Sequence, residues 1–219
     1  MSPALAAATL DVDCSLSASD PVAATTVDVQ SELAHRLAIV AEYRDDETGA
    51  HAARVAAISG SIARELGLPE DSARLIELAA PLHDLGKVAI ADAILLKQGP
   101  LTDAERAVMQ EHTTTGARML ERSEMPVLQV ARGIALNHHE RWDGDGYPNN
   151  LEGPRIPLPG RIVAIADVFD ALTSNRPYKR AWPLSEALAE IRRLRGSHFD
   201  PAIVDAFMRL DHRALLRIF

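Results

Sequence analysis

Apolar residues recur every three or four positions along nearly all of the chain after Asp28, which is the spacing of an amphipathic α-helix. No alternation with a period of two extends beyond five residues, so the pattern predicts no β-strand. The sequence therefore predicts an all-α fold. The predicted helices cover about 28–43, 47–66, 69–84, 102 onward, 127–139, 159–172, 185–195 and 201–216.

Local signals mark several helix ends. Gly67 follows the second helical pattern, and Pro69 opens the next one. Thr102 and Glu105 have the spacing of a capping box, which predicts a helix start at Thr102. The one long irregular segment, residues 141–159, is rich in Gly and Pro. It is longer than a plain helix connection requires, so we expect a functional loop there.

Composition places this pattern in one globular domain. The 219 residues are 47% apolar and 25% charged, which is ordinary for a chain that folds around its own core. Residues 1–27 contain no Lys or Arg and are rich in Ala, Ser, Thr and Asp, so they do not form a secretory signal. We predict a poorly ordered tail over 1–27 and a helical domain over 28–219.

Charge and cysteine content exclude several functions. The net charge of −8 argues against general affinity for nucleic-acid polymers or anionic membranes. All apolar runs are much shorter than 18 residues, so no membrane span is predicted. Cys14 is the only cysteine, which excludes an intramolecular disulfide and a thiolate metal cluster.

Imidazole and carboxylate groups are concentrated near the predicted helix ends. Taken singly, each has an ordinary structural explanation, such as a surface pair, a helix cap or a salt bridge. An acid within an apolar run, however, is costly unless it is paired or bound to metal. As a set without sulfur, these side chains suit Fe, Mn, Zn or similar divalent ions, and they are enough for two or three of them. The candidates are Glu47, His51, His83, Asp84, His112, His138, His139 and Asp167.

Such a cluster has a defined chemical use. Two neighbouring cations lower the pKa of a bridging water from 15.7 towards about 7 and neutralise charge on a phosphoryl oxygen. The cluster would remain cationic after its carboxylates are counted, so an acidic protein could still hold a phosphodiester. The residues therefore favour metal-dependent phosphoryl hydrolysis.

At these positions the chain resembles the HD-GYP family of cyclic dinucleotide phosphodiesterases, a branch of the HD superfamily of metal-dependent phosphohydrolases. The HD pair is His83-Asp84 in HDLGK, and the Gly-Tyr-Pro triplet is 146–148 in HHERWDGDGYP. The segments DDETGAH, ILLKQGPLT, IADVFDALTSNRPYK and GSHFDP match as well. The resemblance covers about 41–210, and it implies a single HD-type helical domain with the long Gly/Pro-rich loop between helices.

The resemblance also implies roles for individual residues. It assigns the histidines and aspartates named above as metal ligands, with His83 and Asp84 shared between ions, and it associates Glu47 with a third ion. Fe(II) or Mn(II) are the metals it favours. It implies that Lys87 contacts substrate phosphate and acts in catalysis with the HD pair. The further substrate contacts it implies are Tyr147, Asp170, Arg176 and Lys179.

The implied function is hydrolysis of cyclic di-GMP to linear pGpG and then to GMP, by attack of a metal-bridging hydroxide, in the bacterial cytoplasm. Two alternatives remain open at this point. One is the same chemistry on another cyclic dinucleotide, and the other is a non-catalytic cyclic di-GMP-binding module that docks partner proteins. For regulation three alternatives stay open: a separate sensor or cyclic di-GMP synthase protein, oligomerisation such as a homodimer, or no regulation.

Overall fold

The computed structural model describes residues 31–40, 50–175 and 180–217. Within these ranges the chain is helical and contains no β-strand, so the prediction of an all-α fold is confirmed. The predicted tail, 1–27, lies outside the described residues. The α-helices are α1 (31–40), α2 (Ala50–Glu65), α3 (Glu70–Ala79), α4 (Asp92–Leu95), α5 (Asp103–Met119), α6 (Pro126–Asn137), α7 (Leu158–Thr173), α8 (Leu184–Arg193), α9 (Pro201–Phe207) and α10 (His212–Leu215).

The capping signals produce the helix ends that the sequence predicts. Thr102 Oγ1 accepts a hydrogen bond from the Glu105 amide at 3.3 Å, and the Glu105 carboxylate accepts one from the Thr102 amide at 2.8 Å. This reciprocal pair is the predicted capping box, and it opens α5. After α2, Gly67 adopts a φ of 80°, a left-handed conformation that glycine enters without a steric penalty.

Two predicted helices differ from the structure. The helix expected to reach Asp84 ends at Ala79 and is followed by two 3₁₀ turns, Ala80–Leu82 and Leu85–Ala89. Pro81 explains this end, because its ring lacks the N–H that an α-helix would use and clashes with the preceding turn.

The prediction of one helix over 201–216 is wrong. The chain turns after Phe207, and Asp211 starts α10 by accepting hydrogen bonds from the amides of Arg213 and Ala214 at 3.0 and 3.1 Å. A side chain that satisfies exposed amides in this way favours a new helix start over a continuous helix.

The core lies between α2, α3, α6 and α7. The helix α7 is its central element, since Ile162, Ile165 and Phe169 on it are all 0% exposed. These side chains pack in one cluster with residues of the neighbouring helices, including Ile62 of α2 and Ile134 of α6. Burying these apolar side chains is the main favourable term in folding. Within the described ranges, none of the helices combines the length and apolar composition that crossing a membrane requires.

Two close contacts between backbones position the functional residues. A Cβ on Gly86 would lie 1.9 Å from the His112 carbonyl oxygen and 2.5 Å from the Gly116 amide nitrogen, so only glycine fits against α5 at that point. At the other contact, a Cβ on Gly160 would lie 3.0 Å from the Asn137 Cβ, which keeps the start of α7 near the end of α6. The Gly86 contact brings the HD pair close to α5. The Gly160 contact brings α7 close to His138 and His139, which follow α6.

Candidate metal centre

Asp84 lies at the middle of the polar cluster. Its Oδ1 is 3.3 Å from His112 Nε2 and 3.6 Å from His138 Nε2, and its Oδ2 is 3.3 Å from His83 Nε2. Each histidine comes from a different element: the 3₁₀ region for His83, the middle of α5 for His112 and the end of α6 for His138. One carboxylate thus faces three imidazoles that the fold brings together.

The ligating atoms form two adjacent groups. The first group contains Asp84, His112, His138 and His139, and the second contains His51, His83 and Asp167. Within each group, one atom from every residue lies within 4.8 Å of the others. The His51 and His83 rings, in the second group, have centroids 5.4 Å apart, and the His83 and His138 rings, which belong to different groups, are 5.2 Å apart. The structure therefore brings together seven of the eight predicted ligands, while the eighth, Glu47, lies outside the described residues.

Backbone carbonyls orient three of these imidazoles. The Nδ1 atoms of His83, His112 and His138 lie 2.9, 2.7 and 3.1 Å from the carbonyl oxygens of residues 80, 109 and 134. A carbonyl only accepts, so each Nδ1 carries a proton, and Nε2 is the ring nitrogen that faces the cluster. Hydrogen bonding of the outer nitrogen in this way is typical of metal-binding histidines.

The inner atoms fit a divalent cation. Among the described residues, the Nε2 atoms of His83, His112 and His138 and the Oδ1 atom of Asp84 are buried without a hydrogen-bond partner. A buried polar atom without a partner is costly, and four of them converging on one space need a shared partner. Imidazole nitrogens and a carboxylate oxygen together match the donor preferences of Fe, Mn and Zn.

The protonation states support this interpretation. Burial lowers the pKa of His112 to about 4 and holds the pKa of His139 well below its usual range, so both rings are neutral at pH 7. Burial opposes a charge on Asp84, but Lys87 and His83 outweigh it and hold the pKa of the carboxyl well below its usual range. Burial likewise lowers the pKa of His83, while the Asp84 carboxylate raises it, with a net pKa of about 9. A bound cation would compete with that proton, because metal binding requires the neutral ring.

The Gly-Tyr-Pro segment lies beside the first group. The ring of Tyr147 stacks on His139 with centroids 4.8 Å apart, and its amide donates to the His139 carbonyl at 3.2 Å. Burial raises the pKa of the Tyr147 hydroxyl, so the group is a protonated donor at neutral pH. A Cβ on Gly146 would lie 2.3 Å from the Arg141 amide nitrogen, which explains why the loop folds so closely over its own start.

The predicted substrate contacts have different positions. The Nζ atom of Lys87 lies 2.8 Å from Asp84 Oδ2, so this cation is at the cluster. Asp170 lies elsewhere: it is 1% exposed, and its carboxylate contacts His51 and Arg54. Its predicted contact with a dinucleotide stays a prediction, and both of its carboxylate oxygens are engaged behind His51. Two further predicted contacts, Arg176 and Lys179, lie outside the described residues.

Two residues that support the site were not predicted from the sequence. Arg54 follows His51 by three positions, a helical spacing that places the two side chains on one face of α2. Glu140, which directly follows the paired histidines, is 2% exposed and accepts hydrogen bonds from the amides of Asn149 and Leu151 at 2.8 and 2.9 Å. The spacing could have indicated Arg54, but no sequence signal shows which amides Glu140 binds.

Comparison with known families agrees with this geometry. A model of the family described as "HD domain" matches residues 37–203. The chain is 51% identical over 180 residues to a cyclic di-GMP phosphodiesterase of Thermotoga maritima, covering 82% of this chain and 49% of the relative. It is 52% identical over 180 residues to the cyclic di-GMP phosphodiesterase response regulator RpfG of Xanthomonas campestris pv. campestris, covering 82% and 48%.

A third relative has another substrate in its name. The chain is 48% identical over 185 residues to 3'3'-cGAMP-specific phosphodiesterase 2 of Vibrio cholerae, covering 84% of this chain and 35% of the relative. The chain thus spans half or less of the length of these relatives.

Solved structures show the same fold. A cyclic GMP-AMP-specific phosphodiesterase of V. cholerae, V-cGAP3, matches 85% of this chain and 50% of its own with a TM-score of 0.62 and 24% identity. The HD domain of the L. monocytogenes phosphodiesterase PgpH, in complex with cyclic di-AMP, matches 80% of this chain and 93% of its own with a TM-score of 0.53 and 19% identity. At these identities the likeness concerns the fold alone.

Proposed function

Because this chain belongs to the HD domain family, and the resemblance to HD-GYP phosphodiesterases is confirmed by its relatives, we propose that it hydrolyses cyclic di-GMP. The products would be linear pGpG and then GMP. The observation that carries the proposal is the convergence of the unpartnered Nε2 atoms and Asp84 Oδ1 on one space. These atoms are donors for divalent ions, and the nearby Lys87 is suited to a phosphate.

The proposed ligands are the seven described residues of the two groups, with Glu47 as a candidate for a third ion. Fe(II) and Mn(II) are the proposed metals, since imidazole and carboxylate donors suit both. When bound, the ions would supply Lewis-acid activation of water and neutralise charge on the phosphoryl oxygens.

The residues of the chain have separable tasks in this reaction. Water would add to one phosphorus atom, forming a new P–O bond, while the bond to the 3' oxygen breaks and that oxygen takes up a proton. Lys87 would hold a phosphate oxygen, because its ammonium lies 2.8 Å from Asp84 Oδ2 at the cluster. Tyr147 would place its protonated hydroxyl at the mouth of the site, where its ring packs on His139. The predicted contacts of Arg176 and Lys179 with the dinucleotide stay predictions.

Hydrolysis of another cyclic dinucleotide is the second candidate function. It is supported by the name of the V. cholerae relative, which is specific for 3'3'-cGAMP at 48% identity. The metal cluster does not distinguish the two substrates, because it contacts the phosphodiester that both share. A binding module without turnover is disfavoured, since the described ligands are present together at one site.

Product analysis by chromatography tests this proposal. Protein purified without air is loaded separately with Fe(II) and Mn(II), then incubated with cyclic di-GMP or with 3'3'-cGAMP. We expect metal-dependent formation of pGpG and GMP, and a loss of product to background in His83→Ala, together with lower metal content. His35→Ala is the matched control, since His35 is exposed on α1 and should retain full activity.

The two arms separate the candidates. If only 3'3'-cGAMP yields product, cyclic di-GMP is not the substrate, and the proposed metal-dependent hydrolysis still holds for the other dinucleotide. No product from either dinucleotide in protein with measured bound metal would contradict the proposed hydrolysis. The separate sensor protein, the synthase partner, the homodimer and the cytoplasmic location stay predictions.

A further inference from the structure

A partly buried ion pair, in which the carboxylate is the buried partner, lies directly behind His51. The Asp170 carboxylate, on α7, is 1% exposed. Arg54 donates from Nε to Oδ1 and from Nη2 to Oδ2, the latter at 3.0 Å, and Ser174 Oγ donates to Oδ1 at 3.2 Å. A buried carboxylate needs this kind of pairing, because removing an unpaired charge from water costs several kcal/mol. Arg54 therefore keeps Asp170 ionised where it is.

This pair determines which nitrogen of His51 carries the proton. Asp170 Oδ2 lies 2.7 Å from His51 Nδ1. The two hydrogen bonds from the Arg54 guanidinium keep the Asp170 carboxylate ionised, and an ionised carboxylate can only accept. His51 Nδ1 is therefore the donor, and its Nε2 keeps a lone pair on the side of Asp167 Oδ1, which lies 3.6 Å away.

His51 differs in this respect from the other oriented histidines. His83, His112 and His138 are held by backbone carbonyls three or four residues before them, which their own helical turns position. His51 is held by a side chain of another helix, 119 residues further along the chain. Its orientation therefore depends on the packing of α2 against α7 and on Arg54.

We propose that Arg54 and Asp170 are positioning residues that set the metal affinity of the group formed by His51, His83 and Asp167. They do so by holding His51 with Nδ1 protonated and Nε2 available as a ligand. Asp170 contacts His51, which belongs to this group and not to the group centred on Asp84, so we expect the larger loss of affinity here. The inference rests on the proposed metal centre and extends it to residues outside the ligand set.

The test is metal titration of Asp170→Asn, with Mn(II) as the probe and bound ions counted per chain. We expect one ion to bind about 10- to 100-fold more weakly than in the wild-type protein, as is usual when such an outer partner is lost. The other ion should lose clearly less affinity. Because the readout is affinity, it does not depend on substrate turnover.

Asp200→Asn is the matched control. Asp200 is 5% exposed and accepts from Arg161 Nη1 at 2.5 Å, so the same atoms are changed in another buried Asp–Arg pair. It contacts the start of α9 through the Ala202 amide and lies outside both ligand groups. It should lower stability and leave both metal affinities unchanged.

A second measurement does not depend on metal or on that variant. Nitrogen-15 spectra of the imidazoles in metal-free wild-type protein report which nitrogen of each histidine is protonated, and we expect Nδ1–H at His51. If Asp170→Asn does not fold, Arg54→Lys replaces it, since lysine keeps the charge and loses the bidentate geometry. We expect a loss of about 3- to 10-fold at one ion in that variant.

Three results would overturn the inference. They are an Nε2–H tautomer at His51, unchanged affinities in a folded variant, or an equal loss at both ions. Failure of the proposed function looks different, because folded wild-type protein would then bind no metal or would release no product while His51 still carries its proton on Nδ1.

Discussion

Asp84 connects the two groups of candidate ligands. Its Oδ1 faces His112 and His138, and its Oδ2 faces His83 and Lys87. A short carboxylate can occupy this position because the 3₁₀ turns on either side keep the backbone close to the cluster. Buried carboxylates are stable only when they are paired, so Asp84 and its basic neighbours depend on one another.

At the same scale, Glu140 holds the loop that follows the paired histidines. It accepts hydrogen bonds from the amides of Asn149 and Leu151, one with each carboxylate oxygen. In Glu140→Gln one of these acceptors is replaced by a donor, which leaves one of the two loop amides without its partner. We expect a loss of about 1–3 kcal/mol in the free energy of unfolding.

Hydrogen exchange measured by mass spectrometry checks this prediction, since the amides of 149–151 should exchange faster in the variant. Glu152→Gln is the control, because the Glu152 side chain is 66% exposed and pairs with Arg155 at the surface, where such pairs contribute little. Equal exchange over 149–151 in Glu140→Gln and the wild-type protein would show that Glu140 does not hold the loop.

At the scale of elements, the contact between α5 and the 3₁₀ turn Leu85–Ala89, which follows the HD pair, depends on Gly86. A Cβ at this position would lie 1.9 Å from the His112 carbonyl oxygen, a backbone atom that cannot rotate away. In Gly86→Ala the turn must therefore move away from α5, which separates Asp84 from His112. We expect a loss of about 1–3 kcal/mol in stability and weaker binding of Mn(II).

Gly133→Ala, on α6, is the control, because the added methyl group there should not destabilise the protein. A Cβ there would meet no heavy atom within 4 Å outside the adjoining backbone of its own helix, and alanine is favoured over glycine inside a helix by about 1 kcal/mol. Chemical denaturation measures the free energy of unfolding of both variants, and Mn(II) titration measures their metal affinity. If Gly86→Ala were as stable as Gly133→Ala, the close contact would not constrain the site.

At the scale of the whole molecule, the ligands connect elements that are distant in the chain. They come from α2, the 3₁₀ turns, α5, the end of α6 and α7, so the complete set exists only in the folded state. A ligand that binds only the folded state stabilises it by about 2.7 kcal/mol at 100 times its Kd. We therefore expect Mn(II) to raise the Tm and chelation to lower it.

Thermal unfolding with Mn(II) and with EDTA measures this linkage. Mn(II) should raise the Tm of His112→Ala much less than that of the wild-type protein. It should raise the Tm of His35→Ala as much as in the wild-type protein, because His35 is exposed on α1. A Tm that does not change with Mn(II) in the wild-type protein would contradict metal binding by the folded chain.

Much of the architecture could be predicted because local rules govern it. The Thr102–Glu105 capping box and the helical ligand positions depend on residues close in sequence. The prediction for 201–216 was wrong because apolar spacing continues across a turn that Asp211 stabilises. The boundary between a tail over 1–27 and a domain over 28–219 stays a prediction.

The amino-acid sequence by itself determined the all-α class, the helix caps and the set of histidines and carboxylates, because spacing and side-chain chemistry are properties of short segments. Only the tertiary structure decided how those ligands divide into two groups and that Asp170 lies behind His51. It also decided that Glu140 closes the loop. These relations join residues far apart in the chain, and they depend on helix packing, where glycines such as Gly86 permit backbones to approach. The spacing of side chains along the sequence does not indicate which distant residues come into contact.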